Sequence, residues 1–220
     1  VEVWDFENFG NGFGAPPNES PPDYLDWDFW VGPSAAAKYN PNRYLRHYWF
    51  YDYGGGWPLE WGVHHYDIVL WAMQAEPPKC ATAEGGRYAF SPDNHLAEWP
   101  DTYSGSCEFG PCPPAKNGFM LTYTLRSNCR HRREGKQHAK AFYGRKGALF
   151  LDRQGFKLYP EWNEEGKPLM AEQAMKSEKS EHEIVQDHAR VFLEAMRTRK
   201  QPPASIEAGH KASNLGHLMN

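Results

Sequence analysis

Cysteine is scarce in this sequence, with Cys80, Cys107, Cys112 and Cys129 the only four among 220 residues. That is too few for a disulfide scaffold. Cys107 and Cys112 have a spacing within reach of a zinc site, but no second close pair completes it, and reduced thiols are the simpler reading. No apolar run approaches the ~18–20 residues that span a bilayer, which excludes a transmembrane helix. A basic excess is also missing: 24 Lys and Arg stand against 28 Asp and Glu, a net charge of −4. Proteins held by nucleic-acid phosphates usually carry such an excess, so DNA and RNA are not expected partners. There is no internal repeat, and 20 Gly with 18 Pro fall short of a low-complexity composition. Neither a start methionine nor a secretory signal opens the chain, and the last helical pattern stops without a C-terminal signal. The sequence reads as one domain over residues 1–220, truncated at both ends.

Aromatics are plentiful. Residues 24–71 hold 15 aromatics in 48 positions, about twice the density of the whole chain. The stretch Tyr24 to Tyr53 is too rich in Pro, Asn and Gly for one helix and reads as an irregular arm, so that residues 1–53 form loop and arm. From about Glu60 to Ala75 the pattern is helical until Pro77-Pro78. Strand signals follow at 79–90, 102–109, 118–126, 138–143, 147–152 and 156–159, with Asp152-Arg153-Gln154-Gly155 as a tight hairpin link. Such short links require mostly antiparallel pairing. Ser180 and Glu183 form a capping box for a helix over 181–199, whose apolar face carries Ile184, His188, Val191, Phe192 and Ala195. His188 on that face is expected to be a core histidine. Residues 54–220 thus read as an α+β domain, a mostly antiparallel sheet with helices packed on one face.

Gly10-Asn11-Gly12-Phe13-Gly14-Ala15 has the letters of a dinucleotide fingerprint, but Pro16-Pro17 follow where a helix N-terminus is required, so it reads as a loop. The informative stretch is Gly54-Gly55-Gly56-Trp57-Pro58-Leu59-Glu60-Trp61-Gly62-Val63-His64-His65-Tyr66-Asp67. Three glycines permit close approach of backbone to a ligand. On a continuous helix Glu60 and His64 share a face, so a carboxylate would orient an imidazole that titrates near neutrality. Asp67 lies three residues beyond on nearly the same face. Spacing leaves three readings open: a catalytic acid/base pair, a structural polar cluster capping a helix, or metal ligation. The aromatics Trp27, Trp30, Tyr39, Tyr44, Trp49 and Tyr51 either stack on sugar rings or pack the arm onto the sheet. Arg43, Arg46 and His47 either meet a polar substrate or form a solvated face. His210 and His217 read as packing, and Arg130 to Arg133 as an exposed hairpin loop.

The string YDYGGGWPLEWGVHHYDIVLWAM resembles the C-terminal domain of the Gfo/Idh/MocA oxidoreductases, which carry a glycine cluster followed by Asp-x-Gly-x-His-x-x-Asp. DWDFWVGPSAAAKYNPNR, EWPDT, YGRKGALFLDRQG and HARVFLEAMRTRKQPPASIEAGHKASNLGHL agree, so the resemblance covers nearly all the chain and is most like a branch common in environmental bacteria. It implies an NAD(P)-dependent oxidoreductase acting on a sugar, cyclitol or related polyol. The family binds NAD or NADP mainly through an N-terminal Rossmann domain, which also supplies a catalytic lysine and which this chain lacks. His64 matches the family's catalytic histidine, and Glu60 stands where the family usually has aspartate, one methylene longer. Asp67 matches the later aspartate. With His65, Trp49 and Arg46 it makes up the substrate-binding set, and no residue of the chain is assigned to cofactor or metal. The resemblance further implies a homo-oligomer through the sheet face. Two other functions remain: a glycosidase using transient NAD-dependent oxidation, and a binding or oligomerisation domain without chemistry. No membrane partner is expected. The compartment reads as cytoplasmic, or periplasmic if an export signal preceded Val1.

Overall fold

In β3 (Thr102–Phe109), Tyr103, Gly105, Cys107 and Phe109 are buried while Ser104 and Glu108 are exposed, the alternation of a strand with one covered face. It belongs to a computed structural model that describes residues 1–10, 12–90 and 95–220. The other strands are β1 (Glu2–Phe6), β2 (Cys80–Gly86), β4 (Phe119–Arg126), β5 (His138–Gly144), β6 (Gly147–Asp152), β7 (Gly155–Pro160) and β8 (Gln173–Lys176). They form one sheet in the order β2-β3-β4-β1-β5-β6-β7-β8. Every pairing is antiparallel except β1 with β4. The α+β architecture expected from the sequence is therefore observed, and six strands lie where alternation placed them. β1 and β8 were not anticipated.

One sheet face carries the main core. Val3, Tyr103, Leu121, Tyr123 and Leu125 pack against Tyr66, Val69 and Met73 of α4 (Gly62–Met73) and Ala212, Leu215 and Met219 of α6 (Ile206–Met219). On the opposite face Trp4, Phe6, Ala139, Ala141 and Phe150 form a second cluster. The loop after β4 covers part of it. Arg126 lies 3.6 Å from the Phe6 ring centroid, and Arg133 lies 5.2 Å from that of Trp4. So the Arg130 to Arg133 stretch is only partly the exposed loop expected of it, because Arg133 roofs an aromatic pair. β1 is thus buried from both sides.

The arm is less irregular than its composition suggests. It contains two short helices, α1 (Trp27–Val31) and α2 (Pro41–Leu45), and a 3₁₀ turn at His47–Trp49. Trp27, Val31 and Tyr39 make a local cluster, with the Trp27 and Trp30 rings stacked at 4.8 Å. Asn42 ties the arm to the first loop by donating from Nδ2 to the Phe13 and Gly14 carbonyls. Trp49 is 1% exposed and sits in the main core.

α5 (Glu181–Thr198) has the capping box read from the sequence, with Ser180 Oγ accepting from Glu183 N–H. Its packing differs from expectation. None of its residues is buried, and Phe192 and Leu193 are more than half exposed. His188 is exposed and is not a core histidine. The periodicity correctly gives the helix and its apolar stripe, but no other described element covers that stripe.

Candidate functional site

The sequence pattern treats Glu60 and His64 as neighbours on one helix, and the backbone separates them. α3 (Trp57–Glu60) ends at Trp61, and α4 begins at Gly62, with His64 N–H donating to the Trp61 carbonyl at 3.0 Å. The Trp61 indole stacks on Trp57 and on His138, at 6.2 and 4.7 Å between centroids. Gly62 lies so close to Tyr66 that a Cβ would fall 2.6 Å from the tyrosine oxygen. Both contacts fix the break. Among the described residues Glu60 makes no hydrogen bond or ion pair with His64. Glu60 is exposed beside the glycine triplet and lines a different concavity, with His47, Tyr48 and His217. Gly56 has a φ of +67°, and a Cβ there would meet Trp99 at 2.8 Å. The triplet therefore brings backbone against the protein's own Trp99.

His64 opens onto a polar cavity of about 230 Å³ between α4, β5, the loop before β5 and the β6–β7 hairpin. Trp61, His65, His138, Lys140 and Arg153 also line it. Behind its wall is a buried network that spacing could not reveal. Asp5, on β1, is 0% exposed. Its Oδ1 accepts from His65 Nε2 and from His138 Nδ1, both at 2.8 Å, and its Oδ2 accepts from the Tyr123 hydroxyl at 2.9 Å. The sheet register, which pairs Asp5 with His138, makes this possible. His138 Nε2 lies 2.9 Å from Glu7 Oε1, and Arg130 Nε lies 3.3 Å from Glu7 Oε2.

These contacts decide the charges. Burial alone would raise the Asp5 pKa, but His65 and His138 outweigh it and hold the carboxyl well below the usual carboxylate range. Burial opposes a charge on His138, yet the hydrogen bonds to Asp5 and Glu7 push its pKa up to about 9, so it is an imidazolium at neutral pH. His65 is the reverse: burial lowers its pKa more than Asp5 raises it. With Nε2 donating to Asp5, the neutral ring leaves Nδ1 as an acceptor, and that atom is buried without a partner among the described residues. His64 is exposed at the cavity mouth, yet partial desolvation there, then Arg153 and Lys140, lower its pKa against the opposing charges of Asp5 and Glu60, which leaves an uncharged imidazole able to take a proton.

The structure gathers only His64 and His65 of the sequence-derived set at this cavity. Asp67 lines a separate concavity with Trp71, Gln74 and Pro203. Arg46 is exposed at the end of α2, and Trp49 is enclosed in the core. The residues that spacing missed are Asp5, Glu7, His138, Lys140 and Arg153. Among the described residues no group of three or more His, Cys, Asp and Glu is arranged to hold a metal ion. No helix of the described residues is long and apolar enough to cross a membrane. The glycine-rich loop does not fit a dinucleotide pyrophosphate. Gly10, Gly12 and Gly14 have φ of +60°, +75° and +72°, but among the described residues no helix begins before Trp27. Asn11 of that motif lies outside the described residues.

No protein-family model matches the chain, and no curated protein does. Solved structures do match. A levoglucosan dehydrogenase in complex with NADH aligns over 99% of this chain and 54% of its own, with TM-score 0.62 and 10% identity. UDP-N-acetylglucosamine 3-dehydrogenase GnnA from Acidithiobacillus ferrooxidans aligns over 99% of this chain and 51% of its own, with TM-score 0.58 and 10% identity. A super-repressor mutant of Gal80p from Saccharomyces cerevisiae aligns over 99% and 53%, with TM-score 0.55 and 12% identity. The chain spans about half the length of the structures it matches. It has the fold of the C-terminal domain of Gfo/Idh/MocA-type dehydrogenases.

Proposed function

We propose that this chain is the substrate-side domain of an NAD(P)-dependent oxidoreductase acting on a sugar, cyclitol or related polyol, with His64 as its acid/base residue. The observation that carries the reading is the uncharged His64 at the edge of a polar cavity whose wall is stiffened by Asp5, His65 and His138. Oxidising a carbinol carbon releases a hydroxyl proton as well as a hydride. A neutral imidazole accepts that proton, and Trp61 edge-on to His64 at 5.7 Å limits its freedom. Hydride chemistry belongs to a nicotinamide, and no residue of this chain is assigned to holding it. Two of the neighbours are dehydrogenases of sugar-derived substrates by name, which supports the substrate class.

The experiment is a turnover screen of the complete protein that contains this chain, with NAD⁺ and NADP⁺ against neutral and acidic sugars and polyols. Net reduced coenzyme with a keto or lactone product is the expected result. Release of an aglycone without net reduction would mark a glycosidase instead. The likeness to Gal80p favours one second reading, a binding domain without chemistry, because the same fold occurs there in a repressor. Ligand binding without turnover on any substrate would support that alternative.

A further inference from the structure

Every carboxylate in the wall behind the His64 cavity has a cationic partner. Asp5 faces His138, Glu7 faces both His138 and Arg130, and Asp152 on β6 holds Lys136 at 2.5 Å. Two cations remain. Lys140 is 8% exposed, and among the described residues its ammonium has neither a hydrogen-bond partner nor a carboxylate within ion-pair distance. Arg153, on the β6–β7 hairpin, likewise has no carboxylate there and rests 5.2 Å from the Trp61 ring centroid. Both line the same cavity as His64. The other carboxylate on the lining, Glu181 at the start of α5, is exposed to water.

A lysine buried this far without an ion-pair partner is costly to keep charged, and burial lowers the Lys140 pKa although Asp5 and Asp152 act against that. A single exposed arginine would carry no such argument. Here the burial of Lys140, its missing partner and its opening into a cavity shared with Arg153 occur together. The backbone of Lys140 is fixed on the central part of the sheet, opposite Val3 of β1 and Leu151 of β6.

We propose that Lys140 and Arg153 form an oxyanion subsite, so that the cavity takes an acidic sugar or polyol, one bearing a carboxylate or a phosphate. This deepens the reading of the previous subsection and rests on it for the sugar scaffold alone. A planar guanidinium and an ammonium together suit a two-oxygen anion, the arginine fixing its plane and the lysine its charge. The bound oxyanion supplies the direct ion-pair partner that Lys140 lacks, since Asp5 and Asp152 act on it only from beyond ion-pair distance. It also lies beside His64, so the acidic group would anchor the substrate near the proton acceptor.

Isothermal titration of the protein without coenzyme, using D-glucuronate, D-glucose 6-phosphate and D-glucose, tests this. At least one acidic sugar should bind ~10-fold or more tighter than glucose, and which one does identifies carboxylate or phosphate as the source of the charge. The preference should weaken with added salt. Lys140→Met and Arg153→Gln should each remove most of it while leaving any glucose binding in place. Arg153 is exposed, so that variant keeps the test valid if Lys140→Met fails to fold. Glucose bound as well as both anions, neither anion bound at millimolar concentration, or a preference surviving both substitutions overturns the proposal. Turnover on a neutral polyol without anion preference would defeat the subsite and leave the oxidoreductase reading standing. Anion binding without any turnover would do the opposite.

Discussion

Nδ1 of His138 lies 2.8 Å from Oδ1 of Asp5, and the other nitrogen of the same ring meets Glu7, so one imidazole bridges two carboxylates of β1 and the residue after it. The pKa of His138 is raised to about 9 against the ordinary 6.5, the bridging carboxylates overcoming the effect of burial. The stabilisation from its charge is therefore fully present below about pH 6.5 and is lost as pH rises through about 9. Asp5 and His65, both shifted downward, do not titrate in that window. Denaturant unfolding of wild type and His138→Asn from pH 6 to 10 should show a gap of about 2 kcal/mol at pH 6. The gap should narrow steadily toward pH 10. A gap constant over that range would mean that His138 is not an imidazolium.

α5 is the place where local stability should be lowest. Its apolar side chains, Phe192, Leu193 and Met196, stay more than half exposed, whereas α4 buries five residues, among them Tyr66 and Val69. Most helix stability in proteins comes from packing an apolar face, and α5 buries none of its residues. Amide exchange followed by mass spectrometry should show α5 protected on the order of 100-fold less than α4. Equal protection would show that something covers the stripe in solution.

Most of the sheet was legible because β3 to β7 alternate between a covered and an open face or sit between short turns. β1 was not. Val3, Trp4, Asp5 and Phe6 are all buried, so no alternation marks the strand, and its functional residues were missed with it. β8 is four exposed residues on an edge and has no pattern to read. His64 was reachable from the local motif and the family resemblance. The network behind it was not, because Asp5 and His138 are 133 residues apart and meet only through strand register. Lys140 is uninformative in sequence, since a lysine on a strand usually faces water. Its burial is decided by α4 and the flanking strands.

The glycine-rich loop gives a direct test of where the coenzyme is held. Pyrophosphate binding needs a helix N-terminus immediately after the glycine turn, and here the first helix is α1, five residues beginning at Trp27. Titration of NADH fluorescence with this chain should stay flat. Saturable micromolar binding at a defined stoichiometry would refute the assignment of coenzyme binding to residues outside this chain.

The assignment of His64 is tested by comparison with its neighbour. In the complete protein His64→Asn should lower kcat by ~10²–10⁴-fold, since asparagine keeps hydrogen bonding but carries no proton at neutral pH. Its melting temperature should barely change, because His64 is exposed. Glu60→Gln should cost less, because among the described residues no hydrogen bond or ion pair joins Glu60 to His64 and only its charge acts on the ring. His65→Asn is not the inert control that adjacency suggests. His65 is 2% exposed and donates to Asp5, so the variant leaves one donor fewer on a buried carboxylate. It should destabilise by ~1–3 kcal/mol, seen as a lowered melting temperature, with activity falling only as folding does. The two adjacent histidines should thus separate cleanly, one in turnover and the other in stability. Loss of activity in His64→Asn that merely tracks a lowered melting temperature, or full turnover in that variant, removes His64 from the chemistry.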